Sequence, residues 1–61
     1  MKILRLSEVI NRTGLGRSSI YKLISEGLFP KSLPLFNRSV GWLESEIDEW
    51  ILSRVMERDS V

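Results

Sequence analysis

Few side chains in this 61-residue chain could take part in chemistry, and their types narrow the possibilities at once. There is no cysteine and no histidine. Disulfides, thiolate metal sites, thiol nucleophiles and imidazole bases or ligands are therefore out of reach. Hydroxyls, cations and carboxylates remain, and two groupings stand out. The segment from Arg17 to Lys22 gathers the hydroxyls of Ser18, Ser19 and Tyr21 with two cations and no acid. The segment from Glu44 to Glu49 gathers the carboxylates of Glu44, Glu46, Asp48 and Glu49. On a helix these acids fan around most of a turn instead of converging. They are expected to be surface acids matched to the helix dipole, not a cation site or a catalytic pair. With no phosphate loop and no nucleophile–base pairing, the chain is not expected to be an enzyme or to hold a metal or cofactor.

The first grouping gains meaning once it is wound at 3.6 residues per turn. Over residues 17–26, Ile20, Leu23 and Ile24 form one apolar side, the i, i+3, i+4 stripe of a helix with a single buried face. Ser18, Tyr21, Lys22 and Ser25 project from the other side. Small hydroxyl residues with a Lys, a Tyr and a leading Arg suit close approach to phosphate oxygens and base edges. Arg17, at the helix start, is within reach of a phosphate or of the O6/N7 edge of a guanine. Ser18, Ser19 and Tyr21 can donate to phosphate, and Lys22 can meet backbone or base. A solvated face that touches nothing is the plainer alternative.

Stepping outward, the neighbouring residues supply the elements that would hold this helix. Ser7 is a candidate N-cap for a first helix over about 7–13, with Glu8 in its first turn and Leu6 stapled onto Ile10. Gly14 would end it in a left-handed conformation, Leu15 would fill the corner, and Gly16 would open the second helix. A short, Gly-containing connection of this kind is what a helix-turn-helix uses. Gly27 would stop the second helix, Leu28 and Phe29 would return to the core, and Pro30 forbids further helix. Residues 31–43 read as a hairpin with its turn at Asn37-Arg38-Ser39, in which Pro34 restricts its strand to an edge. A third helix is expected over about 44–56, with Ile47, Trp50, Ile51 and Val55 inward and fraying beyond Glu57. Residues 1–61 thus read as one mainly α domain, a winged helix-turn-helix of three helices and a two-stranded wing.

Charge supports the same reading. Residues 1–43 carry seven Lys or Arg against two acids, +5, and residues 44–61 carry two Arg against six acids, −4, giving the overall +1. The positive field belongs to the segment containing the helix-turn-helix, and the acidic segment is expected to face away from a polyanion. No apolar run approaches the roughly eighteen residues of a membrane span. No secretory apolar core follows Met1-Lys2, and a cytoplasmic protein is expected. A chain of this length offers a binding surface more readily than a deep catalytic pocket.

Beyond the second helix, Arg38 at the hairpin tip is a candidate for the adjacent minor groove or for phosphate. Lys31, Arg12 and Arg5 are further phosphate candidates. Trp42 and Trp50 could in principle form a stacking platform for single strands, but their apolar surroundings place them in the core.

The residues Arg5-Leu6, Thr13-Gly14, Ser18-Ser19-Ile20-Tyr21, Gly27, Phe29-Pro30, Arg38 to Trp42, Ser45-Glu46-Ile47 and Trp50 resemble the AlpA-type prophage regulatory proteins. The resemblance runs over residues 3–52. It implies a winged-helix fold similar to that of excisionases and of the DNA-binding domain of MerR-type regulators. Two positions depart from the pattern: Gly16 stands where the family usually has a Ser or Thr cap, and Phe36-Asn37 where it often has a Gly-rich wing tip. The implied function is a double-stranded DNA-binding accessory of a mobile element, either a promoter regulator or an excision factor that bends an attachment site for integrase. Cooperative self-association on DNA is a further expectation. The competing class is a protein-interaction module, in which the acidic third helix, with Leu52 and Met56 off its main stripe, docks an integrase or a second copy.

Overall fold

The computed structural model describes residues 1–60. In chain order the elements are β1 (Ile3–Leu4), α1 (Leu6–Thr13), α2 (Arg17–Ser25), β2 (Leu33–Pro34), β3 (Val40–Leu43) and α3 (Glu44–Asp59). Helices α1 and α2 form the helix-turn-helix. Gly14 adopts φ +75° and its N–H donates to the Ile10 carbonyl at 2.8 Å, ending α1 where the sequence places the stop. Gly27, at φ +72°, closes α2 with a Schellman pair of hydrogen bonds. Its N–H donates to Ile24 O at 3.0 Å, and that of Leu28 to Leu23 O at 2.9 Å. Only glycine takes this left-handed step without a Cβ penalty.

The expectation of a two-stranded wing is incomplete. Residues 3–4 pair with β3, giving a three-stranded antiparallel sheet in the order β1-β3-β2. Ile3 lies opposite Leu43 and Leu4 opposite Trp42, while Leu33 and Pro34 face Gly41 and Val40. The Glu44 N–H continues the first pairing by donating to Lys2 O at 2.9 Å. Pro34 sits on an edge strand, as its missing donor requires.

This pairing also moves the start of α1. The chain leaves the sheet at Leu4, and Arg5 (φ −85°, ψ 167°), not Ser7, becomes the N-cap. Glu8 accepts the Arg5 N–H on its Oε1 at 3.1 Å, half of a capping box, and Ser7 lies inside the first turn. At the other end of the chain, α3 runs to Asp59 instead of fraying after Met56. An Arg54–Glu57 ion pair at 3.2 Å, three residues apart, supports the added turn.

Every element except β2 sends one large side chain to the centre. Leu4, Val9, Ile20, Trp42 and Ile47 are fully buried, Phe29 is nearly so, and Leu23, Ile24, Val40, Trp50 and Ile51 pack around them. Both indole N–H groups are satisfied, Trp42 donating to Pro30 O at 3.0 Å and Trp50 to Leu28 O at 2.8 Å. These bonds tie the loop after α2 to the sheet and to α3, and Phe29 meets Trp50 edge-on at 4.8 Å between centroids. Leu28 does not return to the core: it is 61% exposed. Gly41 is where β1, β2 and β3 crowd closest. A Cβ there would collide with Ile3 Cγ2 and lie 3.1 Å from both Leu35 Cδ1 and the Leu4 carbonyl.

Candidate nucleic-acid interface

Helix α2 buries Ile20 and leaves Arg17, Ser18, Ser19, Tyr21 and Lys22 exposed, with Arg17 and Ser19 toward opposite edges of the exposed face. Its N-cap is Gly16, in extended conformation with no side chain over the first turn. The leading amides of α2 are thus open to an acceptor. Winding places Ser18 and Lys22 one turn apart at the centre of this surface, with Arg17 and Tyr21 on the flank beside the wing. Tyr21 is anchored from below, its ring 6.4 Å from that of buried Trp42. Arg17 in turn lies over the Tyr21 ring, its Cζ 5.9 Å from the centroid, a cation–π contact that limits where the guanidinium can go.

Beside that flank runs an open cleft of about 500 Å³ lined by Arg5, Leu6, Ser7, Arg17, Tyr21, Arg38, Ser39 and Val40. Three arginines line it from three places: the β1–α1 junction, the start of α2 and the tip of the wing. No acid lines it. Arginine forks with Ser and Tyr hydroxyls between them are a donor-rich lining suited to a phosphodiester. The unpaired N–H groups of the first turn of α1, at Leu6 and Ser7, add to it.

The wing tip has an uncommon backbone. Asn37 and Arg38 both lie in the left-handed region, at φ +55° and +63°. The turn is closed by Ser39 N–H to Phe36 O at 3.1 Å and Leu35 N–H to Ser39 O at 2.7 Å. Positive φ at both central residues defines the primed hairpin turn whose twist matches the strands. Asn is a usual occupant and Arg is not. A charged, non-glycine residue held in the left-handed region at the edge of a cleft is the kind of outlier that functional sites carry.

Two sequence-derived candidates fall elsewhere. Lys31 is exposed at the base of β2, outside the cleft. Arg12, also exposed, is engaged within the fold: its Nη1 donates to Asp48 Oδ1 and its Nη2 to Glu44 Oε2, both at 2.9 Å. These bonds raise its pKa above the ordinary guanidinium value, Glu44 contributing most. The guanidinium thus clamps the end of α1 to the start of α3, outside the cleft. The four acids likewise do not simply fan outward, since Glu44 and Asp48, one turn apart, converge on this cation. Sequence reasoning did not find Ser7 or Ser39. Ser7 reads as a cap until the pairing of residues 3–4 is known, and Ser39 is indistinguishable from any turn serine.

The family model described as prophage CP4-57 regulatory protein (AlpA) matches residues 2–55 of this chain. Among curated proteins, the "DNA-binding transcriptional activator AlpA" of Escherichia coli strain K12 is 43% identical over 60 residues, covering 88% of this chain and 86% of its own length. An uncharacterized protein, ORF88 of Enterobacteria phage P4, is 42% identical over 57 residues, covering 93% of this chain. The chain spans only 65% of the length of that phage protein.

Proposed function

Because the chain belongs to the AlpA family of prophage regulatory proteins, we propose that it is a sequence-specific double-stranded DNA-binding protein that regulates a mobile element. The observation that carries this reading is the acid-free cleft where Arg5, Arg17 and Arg38 meet beside the exposed face of α2. In this reading α2 enters the major groove. Arg17 reads a guanine edge or grips the phosphate next to it, and Ser18, Ser19 and Tyr21 hold the backbone. Lys22 lies deeper along the groove. The cleft takes a backbone phosphate between α1, α2 and the wing, and Arg38 and Lys31 extend the contact to the next stretch of duplex. The protein acts in the cytoplasm, where that duplex lies.

With Arg5, Arg17, Lys22, Lys31 and Arg38 each neutralising one phosphate, affinity falls with salt on a log–log slope of about −4 to −5. Titration of a mobility shift or anisotropy signal across ionic strength measures it, and a flat response refutes the assignment. The short α2 reads few base pairs, so repeated sites and cooperative binding follow. The finer role is either that of a promoter regulator at one or two sites or that of an excision factor that bends an attachment region for integrase. A footprint over DNA neighbouring the element separates them by the number and phasing of protected sites.

A second reading is favoured by one observation: Leu52 and Met56, one turn apart on the outward face of α3, are both exposed. That face suits docking of an integrase or of a second copy. A protein working only through it co-purifies with its partner and shifts no duplex.

A further inference from the structure

At the tip of the wing Phe36 is 82% exposed, far more than any other aromatic side chain among the described residues. Its neighbours specify what it could meet. Residues 27–43 contain no acid. Arg38, two positions on, lines the cleft proposed to take the DNA backbone. The wing does not leave Phe36 loose, because both hairpin hydrogen bonds at 2.7 and 3.1 Å close directly around it. Leu35 packs over Gly41, within 3.1 Å of where a Cβ would stand. Phe36 opens the turn that Ser39 closes, and Arg38 and Ser39 of that turn line the cleft. A protruding apolar ring on a hydrogen-bonded turn, near a cation at the rim of a phosphate-binding cleft, matches one recurrent device. Proteins that touch the minor groove place a cation on its rim and push an apolar side chain between base steps, unstacking and kinking the duplex.

We propose that Phe36 is a wedge that inserts between two base pairs of the bound duplex and bends it, with Arg38 holding the flanking groove. The proposal rests on the DNA-binding reading above. It adds that the wing deforms the duplex and does not merely rest on it, and that easily unstacked pyrimidine–purine steps under the wing are preferred although no side chain reads their edges.

The test uses the full chain and a short duplex selected from a random pool by the wild-type protein. Dyes at the two ends report bending by energy transfer, and a fluorescent adenine analogue placed at successive steps reports unstacking. Wild-type protein is expected to brighten the analogue at one step under the wing and to shorten the end-to-end distance. Phe36→Ala is expected to remove both signals, a loss of about 20–90° of bend, while affinity changes less than about tenfold because the unstacking cost disappears with the contact. Phe36→Leu, which keeps an apolar wedge, is expected to restore most of the bend. Since Phe36 packs on little of the protein, neither variant should alter the thermal midpoint. If Phe36→Ala binds and bends the duplex as the wild type does, the wedge is refuted and the DNA-binding reading stands. A wild-type chain that retains no duplex overturns both. Should Phe36→Ala instead change the sedimentation of the DNA-free protein and not the bend, the ring belongs to a contact between copies, and the wedge is again excluded.

Discussion

Arg38 offers a test in which stability and binding should move in opposite directions. It occupies the second left-handed position of the wing turn at φ +63°, where primed turns favour glycine. An L-residue with a Cβ gives up about 1–2 kcal/mol in that region. Arg38→Gly removes this strain, while the added freedom of glycine in the unfolded chain costs about 0.5–1 kcal/mol. Taken at mid-range the difference is a net gain of about 0.75 kcal/mol. For a domain of this size that raises the thermal midpoint by about 3–6 °C. Arg38 is exposed, so little packing is lost in exchange. On DNA the same substitution removes one of three guanidiniums from the cleft, and the salt slope should become shallower by about 0.9. Thermal melts by circular dichroism and salt-dependent anisotropy on one duplex measure the two effects. An unchanged or lowered midpoint would mean that the wing imposes no strain at this position. An unchanged slope would remove Arg38 from the phosphate contacts.

The remaining expectations concern the helix, the sheet and the clamp. Arg17→Ala should cost about 1–3 kcal/mol on a selected site and less on random duplex, and equal losses on both would reassign Arg17 to the backbone. Gly41→Ala should destabilise the fold by about 1–3 kcal/mol in chemical denaturation, because Ile3, Leu35 and the Leu4 carbonyl leave no room for a methyl group; a neutral result would show that β1 is free to shift. The double substitution Glu44→Gln, Asp48→Asn releases Arg12. It should lower the thermal midpoint yet leave the salt slope as in the parent, since Arg12 lies outside the cleft. A slope steeper by about one would instead place Arg12 on phosphate.

What could be read from the sequence was whatever local periodicity and punctuation encode. Helix α2 announces itself through Ile20, Leu23 and Ile24, and the two left-handed glycines bound it from either side. Strand β1 does not, because two residues carry no period and its pairing with β3 closes a separation of about forty positions. The start of α1 followed from that omission, as Ser7 is a fair cap by type and Arg5 becomes the cap only once Leu4 is fixed in the sheet. The far end of α3 was hidden for another reason. Its apolar stripe stops at Val55, but Glu and Arg continue the helix by propensity and local ion pairs, which leave no hydrophobic signature. The exposed residues of α2 were identifiable by type, whereas the cleft was not, since Arg5, Arg17 and Arg38 approach one another only through the tertiary fold.

The same long-range geometry explains how a chain of net charge +1 can present a positive surface. Of the seven cations in the first forty-three residues, Arg12 is withdrawn by Glu44 and Asp48 from the other segment. Paired with it, those two carboxylates present a net −1 in place of −2 to a polyanion, and the clamp fixes α3 against the end of α1 opposite the cleft. Arg5, Arg17 and Arg38 are left in a region with no acid in its lining. The acid beside that region is Glu8, whose Oε1 accepts the Arg5 N–H at 3.1 Å, while charges farther off than about 8–10 Å are largely screened at physiological salt. Net charge therefore understates what this surface can bind, and the relevant quantity is the local charge of the cleft.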